Sequence, residues 1–63
     1  MRGELSVKTI KSYLNQGQWS TVIAVCTEAL QHNPSRLELY PLLGKAFAHQ
    51  GKWDNAIAAY QQV

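Results

Sequence analysis

Few side chains in this sequence have the chemistry to make or break bonds, and their spacing does not gather them. Cys26 is the single thiol, and His32 and His49 are the two imidazoles, 17 positions apart. A metal centre or a general base needs partners that converge on it. Neither histidine has paired carboxylates or a cysteine at ligand spacing beside it. Serine, histidine and acidic residues are all present, yet no spacing among them suggests a nucleophile–base–acid triad. One cysteine excludes an intrachain disulfide and a cysteine-based zinc framework. These residues argue against an enzyme, and no cofactor or metal is expected.

What would position such groups is an element pattern that repeats. Gln16-Gly17-Gln18-Trp19 returns as Gln50-Gly51-Lys52-Trp53, an offset of 34 residues. The same offset pairs Tyr13 with Phe47, Ile23 with Ile57, Ala24 with Ala58, and Cys26 with Tyr60. A fixed period of this length is the mark of stacked helical hairpins.

Four helical segments carry the pattern. The first, about 4–16, spaces Leu5, Ile10, Tyr13 and Leu14 helically, and Gly17 can end it in the left-handed conformation. The second, about 19–31, has a wide apolar stripe of Trp19, Val22, Ile23, Cys26, Ala29 and Leu30. Pro34 stops it, since proline disfavours helix in the residue before it. The third opens on Ser35-Arg36-Leu37-Glu38, which matches a Ser-x-x-Glu capping box, and runs to about Gln50. Pro41 removes a backbone donor early in this segment and should delay or bend its start. The fourth begins near Trp53 and carries Ile57 and Tyr60. It reaches Val63 without a terminating residue, so the expectation is an N-terminal piece of a larger protein.

Composition bounds the rest. The chain has 63 residues, 46% hydrophobic and 16% charged, against about 25% charged in an average domain. A chain this short hides only about 60% of its unfolded surface and is marginal alone. The net charge of +2 is spread along the length with no basic run, which argues against a nucleic-acid footprint. No apolar run approaches the roughly 20 residues of a membrane span, and no signal peptide is evident at the start. A cytoplasmic location is the default.

Tyr40-x-x-Leu43-Gly44-x-x-Phe47, then Gly51, Ala56 and Tyr60, with Pro34 ahead, resembles the tetratricopeptide repeat. The resemblance covers about residues 3–63. It implies an all-α fold of about four helices, antiparallel hairpins stacked as a short right-handed solenoid. Residues 3–36 would form a degenerate first repeat and 37–63 a second, truncated one, within a single domain spanning 1–63. Gly44 and Ala56 are expected to face each other where the helices of a hairpin approach within about 8–10 Å. Ser6, Thr9 and Ile10 replace Tyr40, Leu43 and Gly44 in the first repeat, and its helix is expected to act as a cap with a polar outer face. Pentatricopeptide and half-a-tetratricopeptide repeats, both tied to RNA, fit this register less well.

The same resemblance implies function. First helices of such hairpins line a concave groove that takes protein or peptide segments. By register the groove residues here are Glu4, Val7, Lys11, Leu14 and Asn15, then Glu38, Pro41, Lys45, Ala48 and His49. Lys11 and Lys45 are equivalent, so the pair can attract a carboxylate or an acidic segment. Asparagine is expected at these two places in members that clamp chaperone tails, so that clamp is absent. Trp19 and Trp53 read as packing residues that tie each hairpin together, and Cys26 as a buried inert thiol. The expected function is a non-catalytic interaction module with a protein or peptide partner. The alternative is homo-oligomerisation through Ile57, Tyr60 and Val63, appended to a larger protein such as a transferase. An RNA-binding solenoid would need basic and base-stacking residues along the groove, where only the two lysines serve. Neither a specific nucleic acid nor a membrane is expected as a partner.

Overall fold

A computed structural model describes residues 6–62, which are folded into α1 (Val7–Asn15), α2 (Trp19–His32), α3 (Leu39–His49) and α4 (Trp53–Tyr60). No strand occurs among the described residues. Glu4, Leu5 and Val63 lie outside them.

Ser6 sets the start of α1. Its Oγ accepts a hydrogen bond from the Thr9 N–H at 3.2 Å and lies 3.1 Å from the Thr9 hydroxyl. Ser6 is therefore the N-cap, and the helix begins at Val7, later than the expected 4. Capping by serine satisfies one of the donors that a helix start leaves open. The departure of the first repeat from the second at Ser6 and Thr9 thus has a local cause, because these two residues build a cap.

Both hairpin turns have one geometry. Gly17 and Gly51 adopt φ of +76° and +75°, the left-handed region that favours glycine. After α1, Gln18 N–H donates to Tyr13 O (3.0 Å) and Gly17 N–H to Leu14 O (3.0 Å). After α3, Lys52 N–H donates to Phe47 O (2.9 Å) and Gly51 N–H to Ala48 O (3.0 Å). This is the Schellman arrangement, made twice with every donor and acceptor displaced by 34 positions. The next helices also begin alike, Val22 N–H donating to Gln18 O and Ala56 N–H to Lys52 O, each at 3.0 Å.

The third helix departs from expectation. Residues 34–38 form turns, α3 starts at Leu39, and Glu38 makes no side-chain cap. The Glu38 carboxylate is instead held by Arg36, with Nε to Oε2 at 3.0 Å. The Asn33 Oδ1 accepts from the Ser35 N–H at 3.3 Å, which fixes the chain around Pro34 in a turn. With the start at Leu39, Pro41 falls in the first turn, where its missing N–H would have had no intrahelical acceptor.

One apolar cluster joins the helices: Ile10 and Leu14 of α1, Val22, Cys26, Ala29 and Leu30 of α2, Leu39, Leu42, Leu43 and Ala46 of α3, and Ala59 of α4. No polar or charged side chain is buried among the described residues. The third helix packs against each of the other three, α1 also packs against α2, and α4 packs against α3 alone.

The close approach at Gly44 is to Tyr60. A Cβ added at Gly44 would lie 3.0 Å from Cε2 and Cζ of Tyr60, so the absent side chain makes room for that ring. Ala56 is buried as well. In the first hairpin the sizes are exchanged: Ile10 stands at the position of Gly44 and Cys26 at that of Tyr60, both fully buried. Large with small replaces small with large, a substitution pattern that keeps core volume.

Candidate functional site

The residues with reactive side chains are dispersed or occupied. Burial pushes the Cys26 thiol up to about 11, with the Arg36 charge acting weakly in the other direction. Such a thiol is neutral and sheltered, the opposite of a nucleophile's setting. No group of three or more His, Cys, Asp or Glu residues is placed to hold a metal ion among the described residues. No helix there is long and apolar enough to cross a membrane.

The groove residues are placed unevenly. On α1, Lys11 and Asn15 are exposed, Val7 is half-buried, and Leu14 lies in the core. On α3, Pro41 and Lys45 are exposed and Ala48 is half-buried. Glu38 precedes α3; its own backbone N–H, then the Arg36 guanidinium, hold its carboxyl below the usual carboxylate range. Glu4 lies outside the described residues. Because α1 and α3 pack together, the structure brings Lys11 and Lys45 onto neighbouring helices, and neither pairs with another described residue. Neighbouring helices sit about 8–10 Å apart, close to the Debye length of about 8 Å at physiological salt. An anion lying between them would feel both charges.

His49 has a contact the sequence did not announce. Its ring stacks on Trp19 with centroids 4.0 Å apart and planes 3° from parallel. Beside it, Gln50 Nε2 donates to Ser20 Oγ at 3.0 Å. The end of α3 is thereby fastened to the start of α2, so Trp19 joins one hairpin to the next and does not only tie its own. The signal for this was available in principle. If consecutive helices run antiparallel, the first residues of α2 must meet the last residues of α3.

Trp53 corrects the other expectation. It holds the place of Trp19 one repeat later but is 63% exposed, because no described residue stacks on it. Ile57 (54%) and Tyr60 (45%) are exposed with it. Positions 53, 57 and 60 follow one face of a helix, so α4 shows a continuous apolar stripe. At its start an open cleft of about 330 Å³ is lined by Gly51, Lys52, Trp53, Asp54 and Asn55. Val63, the third expected self-association residue, is outside the described residues.

No protein-family model matches the chain, and no curated protein or solved structure matches it either.

Proposed function

We propose that this chain is a non-catalytic protein-interaction module of tetratricopeptide type. In this reading α1–α2 and α3–α4 are successive hairpins of a right-handed stack, and the face shared by α1 and α3 receives an acidic segment of a partner protein. The observation that carries it is the hairpin turn made twice with a displacement of 34 positions in every hydrogen bond. That repetition supports a stack in which equivalent side chains recur on neighbouring helices, and Lys11 and Lys45 are the equivalent pair with exposed charge.

Two ammonium groups on adjacent helices bind a carboxylate-rich segment mainly through long-range attraction, so affinity should fall with salt. The test is binding of acidic peptides to the wild type and to the Lys11→Ala, Lys45→Ala double variant, at low and physiological salt. We expect the double variant to lose about tenfold or more in affinity at low salt, and each single variant to lose less. Equal binding by wild type and double variant would remove the lysines, and with them this groove, from the account.

A further inference from the structure

We propose that the exposed stripe of α4 pairs with the same stripe of a second copy, in an antiparallel, two-fold-symmetric contact centred on Ile57. The internal repeat shows what such a face requires. In α2 the equivalent positions are Trp19, Ile23 and Cys26. Trp19 is covered by His49, Cys26 is fully buried, and Ile23 is half-buried against the core. In α4 the same positions hold Trp53, Ile57 and Tyr60, each about half exposed or more. This is the face on which an adjoining helix belongs.

The described part of the other end of the molecule is poorly suited to supply that helix. His49 of α3 meets Trp19 of α2, and at helical spacing before it stand Ala46, Leu42 and Leu39, all three buried. Thirty-four positions earlier stand Asn15, Ser12 and Lys8, all exposed, and Leu5, which lies outside the described residues. A second copy stacking head to tail would bury an ammonium, an amide and a hydroxyl against Trp53, Ile57 and Tyr60 without partners, which opposes that arrangement. Between the two arrangements of copies, an open chain is thereby disfavoured and a closed pair favoured.

The stripe is self-complementary. Trp53 lies four residues before Ile57 and Tyr60 three after it. In an antiparallel pair the indole of one copy meets the phenol ring of the other on both sides of the axis, while the two Ile57 side chains meet on it. Charge agrees with this orientation. Asp54 is the only ionised side chain within α4, and antiparallel pairing keeps the two Asp54 carboxylates at opposite ends. Lys52, at the N-cap, comes to lie by the last carbonyls of the other α4, where the helix dipole favours a cation.

Area sets the strength. The exposed parts of one isoleucine and two aromatic side chains amount to roughly 350 Å² per copy, less than half the roughly 800 Å² per partner of a standard interface. The pair is therefore weak and concentration-dependent.

Sedimentation velocity and light scattering from about 5 µM to about 1 mM test it, the range in which a contact of this size should titrate. The expected result is a monomer at the low end and a dimer, with nothing larger, at the high end. Ile57→Glu places two carboxylates on the axis and should weaken dimerisation at least about tenfold. Its site is exposed in the monomer, so an unchanged circular dichroism spectrum and melting curve should accompany the loss. Ile57→Cys should give a disulfide-linked dimer under mild oxidation, while Lys8→Cys, on the polar face of α1, should not. A wild type that stays monomeric at the high end, an Ile57→Glu variant that dimerises like wild type, or a mass that climbs past the dimer would each overturn the proposal. The Lys11→Ala, Lys45→Ala variant should self-associate like wild type, so failure of the groove and failure of this contact are separable.

Discussion

At Gly44 two effects of similar size oppose each other. Glycine in a helix interior is less favourable than alanine by about 1 kcal/mol, so Gly44→Ala should stabilise α3 taken alone. Against that, the new Cβ would stand 3.0 Å from two atoms of the Tyr60 ring, closer than carbon atoms pack, and the ring or α4 must move. Tyr60 is 45% exposed, so the ring can yield by a few tenths of an ångström, at the cost of part of its contact with α3. The expected outcome in urea melts is a net loss of about 1 kcal/mol for Gly44→Ala in the wild type. In a Tyr60→Ala background the same substitution should become stabilising by a similar amount. A change of the same sign in both backgrounds would show that the ring is not what requires glycine here. The glycine was legible in the sequence as a place of close approach, but the Tyr60 ring beside it was not. The family pattern drew attention to Ala56, while the exchange of Ile10–Cys26 for Gly44–Tyr60 along the 34-residue offset also linked positions 44 and 60.

Among the elements, the turns were the most legible because their backbone admits so few residue types. Gly17 and Gly51 both hold φ near +75°, where a Cβ is penalised by about 1–2 kcal/mol. Their surroundings differ little in consequence. A Cβ on Gly17 would be 3.8 Å from the Trp19 ring, an ordinary contact, and one on Gly51 would meet nothing within 4 Å. The backbone alone should therefore decide, and Gly17→Ala and Gly51→Ala are expected to destabilise by equal amounts, about 1 kcal/mol net. Thermal or urea melts of the two variants check this, and a difference exceeding that amount would mean that the turns are not energetically equivalent. The start of α3 was harder to read. Ser35 and Glu38 have the spacing of a capping box, but two contacts absent from that motif prevail: Asn33 accepts from Ser35 N–H, and Arg36 takes the Glu38 carboxylate. Competing short-range hydrogen bonds of this kind leave no trace in hydrophobic spacing, which is why helix identity was legible and that boundary was not.

The whole molecule is uneven in how its helices are held. The third helix has three neighbours, while α4 has only α3 and keeps Trp53, Ile57 and Tyr60 in water. In a small domain with little buried surface to spare, a helix held by a single neighbour opens at a lower free energy than helices packed between several. The apolar stripe on α4 was visible in the sequence as a repeat of α2. Ile57 and Tyr60 were expected to be exposed, but that Trp53 would be bare while Trp19 is covered depends on which residues lie against each ring, which no single segment encodes. Amide hydrogen exchange follows the consequence. In dilute solution the amides of α4 from Ala56 to Tyr60 should exchange faster than those in the middle of α2 and α3, whose buried faces meet two and three other helices respectively. Raising the concentration until the α4 stripes pair should slow exchange in α4 by more than it slows exchange in α1, because binding protects the element it touches. Equal protection of α3 and α4 in dilute solution would mean that the single contact with α3 holds α4 as firmly as the core holds itself. The bare stripe would then be compatible with a stable monomer, and pairing would add little to the fold.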